Sequence, residues 1–415
     1  MRAKHLGRCG KSVGANACGA RKEQMLKFSE LKKYYNGKKV LVTGHTGFKG
    51  SYMCVLLKYL GAKVYGYSLK PEKGSLYELI QKGAKKYRSA ELRGPLVAGE
   101  TFADIRDAKK LTAFVKKVKP DYILHMAAQP LVLKGYEEPR YTYEVNVIGT
   151  VNLMEAIRQT FSRHGILSKI HRRGEVCDPV SILNVTTDKV YENNDLSNYA
   201  FKEHDKLCGR DPYANSKSCS ELVTYAYDKS FFSNKDIFRI STARAGNVIG
   251  GGDLNENRII PDCYRSIKNK KEMVIRNPKS IRPYQFVLEP LILYLNIMAM
   301  QKKNKKYEGN YNIGPDKKAC LTTEVLTKKF FDAWIHNVGA NVAVGANVAV
   351  GAKFTSPHES KFLRLDNSLI KKTFNYKEIF DMDSTMRCTT KVYSDMLHKK
   401  NIYQSIIEVI KDYIS

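Results

Sequence analysis

The chain has 415 residues, 43% of them hydrophobic and 10% aromatic, which is enough to bury a large core and excludes a disordered chain. Its net charge of +29 would suit an anionic partner, but the lysines are spread along the chain and read as a solvated surface, which argues against nucleic acid as the main partner. No apolar run reaches the length of a membrane span, and nine scattered cysteines without CxxC pairs fit reduced thiols in a cytoplasmic compartment, with no metal site.

Residues 1–24 are basic and rich in Gly and Ala, without the apolar core of a secretory signal. They read as a transit-like leader or a disordered extension within a basic segment 1–36. Met25 is an alternative start, because the structured pattern begins just after it. Val40-Leu41-Val42 then runs into Gly44, Gly47 and Gly50, and apolar residues follow at helical spacing from Tyr52 to Leu60. Strand, tight turn and helix in that order suit a dinucleotide phosphate. Glycine lets the backbone approach closely, and the helix start offers unpaired N–H groups.

Residues 63–68 read as the second strand. Asp104-Ile105-Arg106-Asp107 follows a later strand and opens a helix running to about Lys117. Residues 122–126 form a buried parallel strand, 144–161 a helix, 181–185 a strand, 213–231 a long helix and 237–242 another strand. This alternation predicts an α/β fold: a doubly wound, parallel-sheet Rossmann domain over 37–245. Residues 162–180, polar and basic without periodicity, read as an insert. After Gly246 the chain turns irregular, which predicts a smaller C-terminal substrate-binding domain over 246–415. The apolar run 287–300 is broken by Glu289, Pro290 and Asn296 and reads as a buried helix, part of a return to the Rossmann domain near 284–300. Residues 338–352 carry a short tandem repeat, Val-Gly-Ala-Asn-Val-Ala. It has too few copies for a solenoid and reads as a loop expansion without a catalytic role.

The chemistry gathers at two places. Thr187-Asp188-Lys189 sits at the end of the 181–185 strand, where open α/β sheets bind ligands. Tyr213 and Lys217, four residues apart on a helix, share a face. There the ammonium lowers the phenol's pKa and can hold a nicotinamide ribose.

Longer strings join these places. They are Val42-Thr43-Gly44-His45-Thr46-Gly47-Phe48-Lys49-Gly50-Ser51, residues 104–107, His125-Met126-Ala127-Ala128-Gln129-Pro130-Leu131-Val132, residues 146–150, 187–193, 211–217, 244–253 and 258–262, then Ile275-Arg276-Asn277-Pro278 and residues 280–283. From about residue 27 onward, the two inserts apart, the chain resembles the extended short-chain dehydrogenase/reductase superfamily of NAD-dependent epimerases and dehydratases. Within it the match is to the CDP-glucose 4,6-dehydratase family.

The resemblance implies a lyase that oxidises the sugar at C4, eliminates water across C5–C6 and returns hydride to C6. It makes Tyr213 the C4 base, helped by Thr187 and Lys217, Lys189 the C5 base and Asp188 the acid for the leaving oxygen. It implies NAD held by Gly44, Gly47, Phe48, Gly50, Asp104, Ile105, Ala127, Ala128, Gln129, Asn146, Tyr213 and Lys217. The nucleotide diphosphate falls to Asn247, Arg258 and Arg282. A homodimer is implied, pairing the Tyr213 helix and the helix near 144–161.

The chain departs from the family at four positions. Lys70 stands where an acid usually follows the second strand, so NADP stands beside NAD. Tyr284 and Phe286 replace the usual Trp and His, and Gly135 a usual Ser. Other readings are a dehydratase of GDP-mannose or dTDP-glucose, a 4-epimerase, and a non-catalytic nucleic-acid-binding module.

Overall fold

The computed structural model describes residues 25–161, 178–194, 199–232, 237–275, 277–316, 319–338, 348–350 and 362–415. The leader 1–24, most of the 162–180 insert, Arg276 and most of the 338–352 repeat lie outside the described residues.

Seven parallel strands form the main sheet: β1 (Lys39–Thr43), β2 (Lys63–Ser68), β3 (Gly99–Phe102), β4 (Tyr122–His125), β5 (Val180–Thr187), β6 (Phe238–Ala245) and, far along the chain, β10 (Asn310–Ile313). Their spatial order is β10-β6-β5-β4-β1-β2-β3. Order reverses between β1 and β4, the switch point at which such sheets open a ligand crevice. β4 and β5 are buried at every residue, as strands covered on both faces must be.

Five short strands, in two small sheets, complete the second part. β7 (Asn247–Ile249) pairs in parallel with β9 (Ile281–Phe286), and β11 (Cys320–Thr322) pairs antiparallel with β9. β8 (Met273–Ile275) pairs in parallel with β12 (Val348–Val350). The end of the tandem repeat therefore adds a strand, because its alternating Val-Ala-Val suits an extended edge.

The C-terminal part is interleaved with the sheet domain. The helix Leu288–Lys303 is buried from Leu288 to Lys302, so the 287–300 run is a core helix packed on β5 and β6. Tyr35 in the helix Phe28–Tyr35 donates to the Leu295 carbonyl at 2.7 Å. The return to the sheet continues through β10, and the last helix, Ile402–Ile414, packs on the helices Phe48–Tyr59 and Leu76–Lys85. A separate apolar core, with Tyr264, Trp334 and Tyr393, holds the second part together. Among the described residues no helix is long and apolar enough to cross a membrane.

Candidate active site

A cleft of about 1240 Å³ opens at the ends of β1, β4, β5 and β6 and runs on to β7, β8 and β9. Its floor begins at the glycine turn. Gly44 has φ +73°, and a Cβ there would lie 2.8 Å from the Ala127 backbone. A Cβ at Gly50 would lie 2.2 Å from the Gly44 carbonyl oxygen. Only bare backbone fits, so the first turn of the helix Phe48–Tyr59 presses against the strand end. Gly47 caps that helix, and Phe48 walls the cleft. This is a cradle that a dinucleotide pyrophosphate fits.

Thr43 joins the two strand ends. Its Oγ1 lies 2.7 Å from His125 Nδ1 and accepts from the backbone N–H groups of Met126 and Ala127. Burial pushes the His125 pKa down to about 3, so the imidazole is a neutral link between Thr43 and Thr150.

The proposed reaction residues meet at the centre. Asp211 caps the helix Pro212–Tyr227 by accepting from the Ala214 N–H at 2.9 Å, and Pro212 starts it. That helix brings half-buried Tyr213 to the end of β5, beside Thr187. Thr187 Oγ1 donates to Asp188 Oδ1 at 2.9 Å, and Lys189 Nζ lies 3.6 Å from the same oxygen. Burial lifts the Tyr213 phenol to about 12, and the neighbouring Thr187 hydroxyl opposes the rise. Lys217 Nζ donates to the Val185 carbonyl at 3.0 Å, behind the cleft wall. Burial first, then the Lys49 charge, lowers its pKa to about 8.

The other expected ligand residues fall into two groups. Asp104, Ile105, Ala127, Ala128, Asn247, Arg258 and Arg282 line the cleft. Arg106 pairs with Asp104 at 2.9 Å and holds its carboxyl low, and Arg258 Nη1 pairs with Asp253 at 2.9 Å. Gln129 and Asn146 do not line it. Asn146 accepts from the Gln129 N–H at 2.9 Å and donates to Ser216 Oγ at 2.9 Å, and Gln129 donates to Thr142. The Asn146 amide clamps the loop after β4 to the Tyr213 helix, and the Gln129 amide ties that loop to the helix Pro139–Tyr143. Lys70 is exposed at the rim beyond β2.

Lys49 is a cleft cation that the sequence reading did not assign. It lines the cavity, and burial lowers its pKa to about 8, with Arg258 adding to the fall. Its place inside the string Val42 to Ser51, which carries the glycine turn, was the available signal. His45, in the same string, is buried away from the cleft, 3.0 Å from Glu100. The Gly250–Gly252 run is explained by packing. A Cβ at these positions would meet Val287, Val392 and Leu76 at 2.7, 2.4 and 2.6 Å. Of the departures, Tyr284 lines the cleft, while Phe286 stacks on Phe380 in the core. Gly135 lets its helix lie against Tyr213, since a Cβ would sit 3.2 Å from the Tyr213 nitrogen. Among the described residues no cluster of His, Cys, Asp and Glu could hold a metal.

Residues 41–389 match the family model described as GDP-mannose 4,6 dehydratase. The chain is 34% identical to the CDP-glucose 4,6-dehydratase of Salmonella typhimurium over 390 residues, covering 92% of this chain and 98% of that one. It is 26% identical to the CDP-paratose 2-epimerase of Salmonella typhi over 298 residues, covering 66% and 78%. The crystal structure of dTDP-glucose 4,6-dehydratase from Bacillus anthracis superposes with a TM-score of 0.61 at 18% identity, covering 86% and 97%, and so shares the fold.

Proposed function

The chain belongs to the GDP-mannose 4,6-dehydratase family, and from that premise we propose that it is a nucleotide-sugar 4,6-dehydratase that converts CDP-glucose to CDP-4-keto-6-deoxyglucose. The observation that carries the reaction type is Asp188 and Lys189 side by side, next to Tyr213 and Thr187 in one cleft. An epimerase eliminates nothing and has no use for a second acid and base. The end-to-end similarity to a CDP-glucose enzyme supports the substrate.

In this reading Thr187 holds the sugar C4 oxygen and Tyr213 takes its proton. Burial raises the phenol's pKa and the Arg258 charge works against that rise, while Lys217 rides one turn further along the same helix. When bound, NAD supplies the hydride acceptor for C4 and returns the hydride at C6. Lys189 removes the C5 proton, made acidic by the 4-keto group, and Asp188 delivers a proton to the departing C6 oxygen, which leaves as water. Arg258 and Arg282 hold the diphosphate, where a planar fork suits phosphate oxygens, and Asn247 lies beside them. The glycine cradle, Phe48, Asp104, Ile105, Ala127 and Ala128 hold NAD, with Gln129 and Asn146 shaping the loop.

A homodimer is part of the proposal. Ile148, Leu222 and Tyr225, on or beside the helices Gly149–Thr160 and Pro212–Tyr227, are exposed apolar residues that a second copy would cover. A cytoplasmic location fits nine scattered cysteines without CxxC pairs.

The test is turnover by purified protein on CDP-glucose, GDP-mannose and dTDP-glucose, followed by the alkali-labile 4-keto chromophore. Turnover of CDP-glucose is expected. Activity confined to another nucleotide moves the substrate, and a product that is only the C4 epimer defeats the dehydratase reading.

A further inference from the structure

The Tyr213 helix and the ends of β5 and β6 meet over a buried ion pair that the proposed chemistry does not use. Arg244, near the end of β6, and Glu221, one helical turn beyond Lys217, are both almost fully buried. Arg244 Nε donates to the two Glu221 oxygens at 2.8 and 2.9 Å, and Nη2 donates to Oε2 as well. Its other arm, Nη1, donates to the Tyr191 hydroxyl at 2.6 Å and to the Glu203 carbonyl at 2.8 Å. Tyr191 donates in turn to Asn312 Oδ1 on β10 at 2.6 Å. Glu221 also accepts from Thr186 Oγ1 at 2.5 Å and from Thr242 Oγ1 at 3.3 Å.

These partners bracket the proposed reaction centre. Thr186 immediately precedes Thr187, and Tyr191 lies two residues beyond Lys189. Glu221 rides on the helix that carries Tyr213 and Lys217. One rigid guanidinium thus ties the acid–base run, the Tyr213 helix and two strands together. Arginine suits this because its donors lie in a fixed plane and it stays charged when buried. Stability is a poor reason for the pair, since apolar residues of similar volume often stabilise such a site as well or better. Geometry is the better reason. Neither Glu221 nor Arg244 lines the cleft.

Resting on the dehydratase reading of the cleft, we infer that Glu221 and Arg244 are positioning residues, whose ion pair sets the Tyr213 helix against the strand ends so that Tyr213 and Lys217 meet Thr187 and Asp188.

The experiment compares the wild type with the double variant Glu221→Leu/Arg244→Met and with Arg244→Lys. The double variant removes both charges and leaves no buried ion unpaired. It is expected to melt close to the wild type, keep its KM for the sugar nucleotide within about threefold, and lose roughly 100-fold in kcat, the scale on which displacement of about 1 Å acts. Arg244→Lys keeps the charge without the fork and is expected to show a smaller kcat loss with KM unchanged. It carries the test if the double variant does not fold. Wild-type kcat in a folded double variant, or in Arg244→Lys when that variant alone folds, overturns the inference, as does a loss confined to KM. A wild type that turns over no nucleotide hexose defeats the dehydratase reading and this inference with it, whereas an active wild type beside a fully active folded variant defeats the positioning role alone.

Discussion

Thr187 Oγ1 donates to Asp188 Oδ1 at 2.9 Å, while the other carboxylate oxygen, Asp188 Oδ2, is buried without a hydrogen-bond partner among the described residues. A buried acceptor left unpaired costs about 1–3 kcal/mol. Gly246 faces it, and a Cβ there would crowd Oδ2 at 3.2 Å, so glycine keeps what room there is beside this oxygen. A ligand hydroxyl is the natural partner. Asp188→Asn is expected to melt at or above the wild type and to lose about 100-fold or more in kcat, because the amide cannot deliver the proton. Calorimetry and steady-state turnover check both halves, and full turnover would remove Asp188 from the mechanism.

Lys189 is the proposed C5 base and lies only 3.6 Å from Asp188. Lys189→Ala is expected to stop elimination while the first oxidation survives. The reduced-nicotinamide absorbance should then build up to about one equivalent per site with no 4-keto-6-deoxy product. A variant that still forms that product at the wild-type rate would show the base to be wrong.

Lys49 and Lys217 are both held near 8, against an ordinary 10.5, chiefly by burial. Between those values the unfolded chain binds more protons than the folded one, so both groups make stability rise with pH from about 8. Above pH 10.0 the buried tyrosines, such as Tyr52 and Tyr393, act the other way, because the unfolded chain loses their protons first. Lys49→Met is therefore expected to raise the melting temperature of the ligand-free protein at neutral pH and to flatten its rise between pH 8 and 10. Melting curves across that range decide it, and an unchanged profile would place Lys49 in solvent.

The glycine cradle predicts a coupled defect. A methyl group at Gly50 would meet the Gly44 carbonyl at 2.2 Å. Gly50→Ala is expected to lose about 1–3 kcal/mol of stability by overpacking, together with most NAD affinity. Denaturant unfolding and cofactor titration measure the two losses. Retention of NAD affinity would separate the cradle from cofactor binding.

Lys70 stands exposed at the cleft rim, where an acid would bind the adenosine ribose hydroxyls. Lys70→Glu is expected to shift the ratio of NAD to NADP affinity toward NAD by about tenfold, roughly one charge-assisted hydrogen bond. Competitive titration of both dinucleotides tests it, and an unchanged ratio would place the ribose elsewhere.

Much of the fold was legible because its signals are local. Val40 to Gly50 announces strand, turn and helix by spacing alone, and the 63–68 strand appears with the boundaries its pattern predicts. Tyr213 and Lys217 could be paired because helical periodicity places residues four apart on one face. Gln129 and Asn146 show where local reading stops. Their types suit a cofactor contact, yet in the fold the Asn146 amide pairs with the Gln129 backbone and Ser216, and the Gln129 amide with Leu131 and Thr142.

By itself the sequence determined the parallel α/β class, the glycine cradle, and the two runs that carry the proposed acids and bases, since each depends on residues within a turn or a strand. Only the tertiary structure decided that Lys49 faces the cleft while His45 does not, that Lys217 sits behind its wall, and that Arg244 reaches Glu221, Tyr191 and, through Tyr191, Asn312. The partners in those contacts lie from 23 to 121 positions apart in the chain. Burial and charge at such meetings are set by the packed sheet and helices, and no short window of sequence contains both partners.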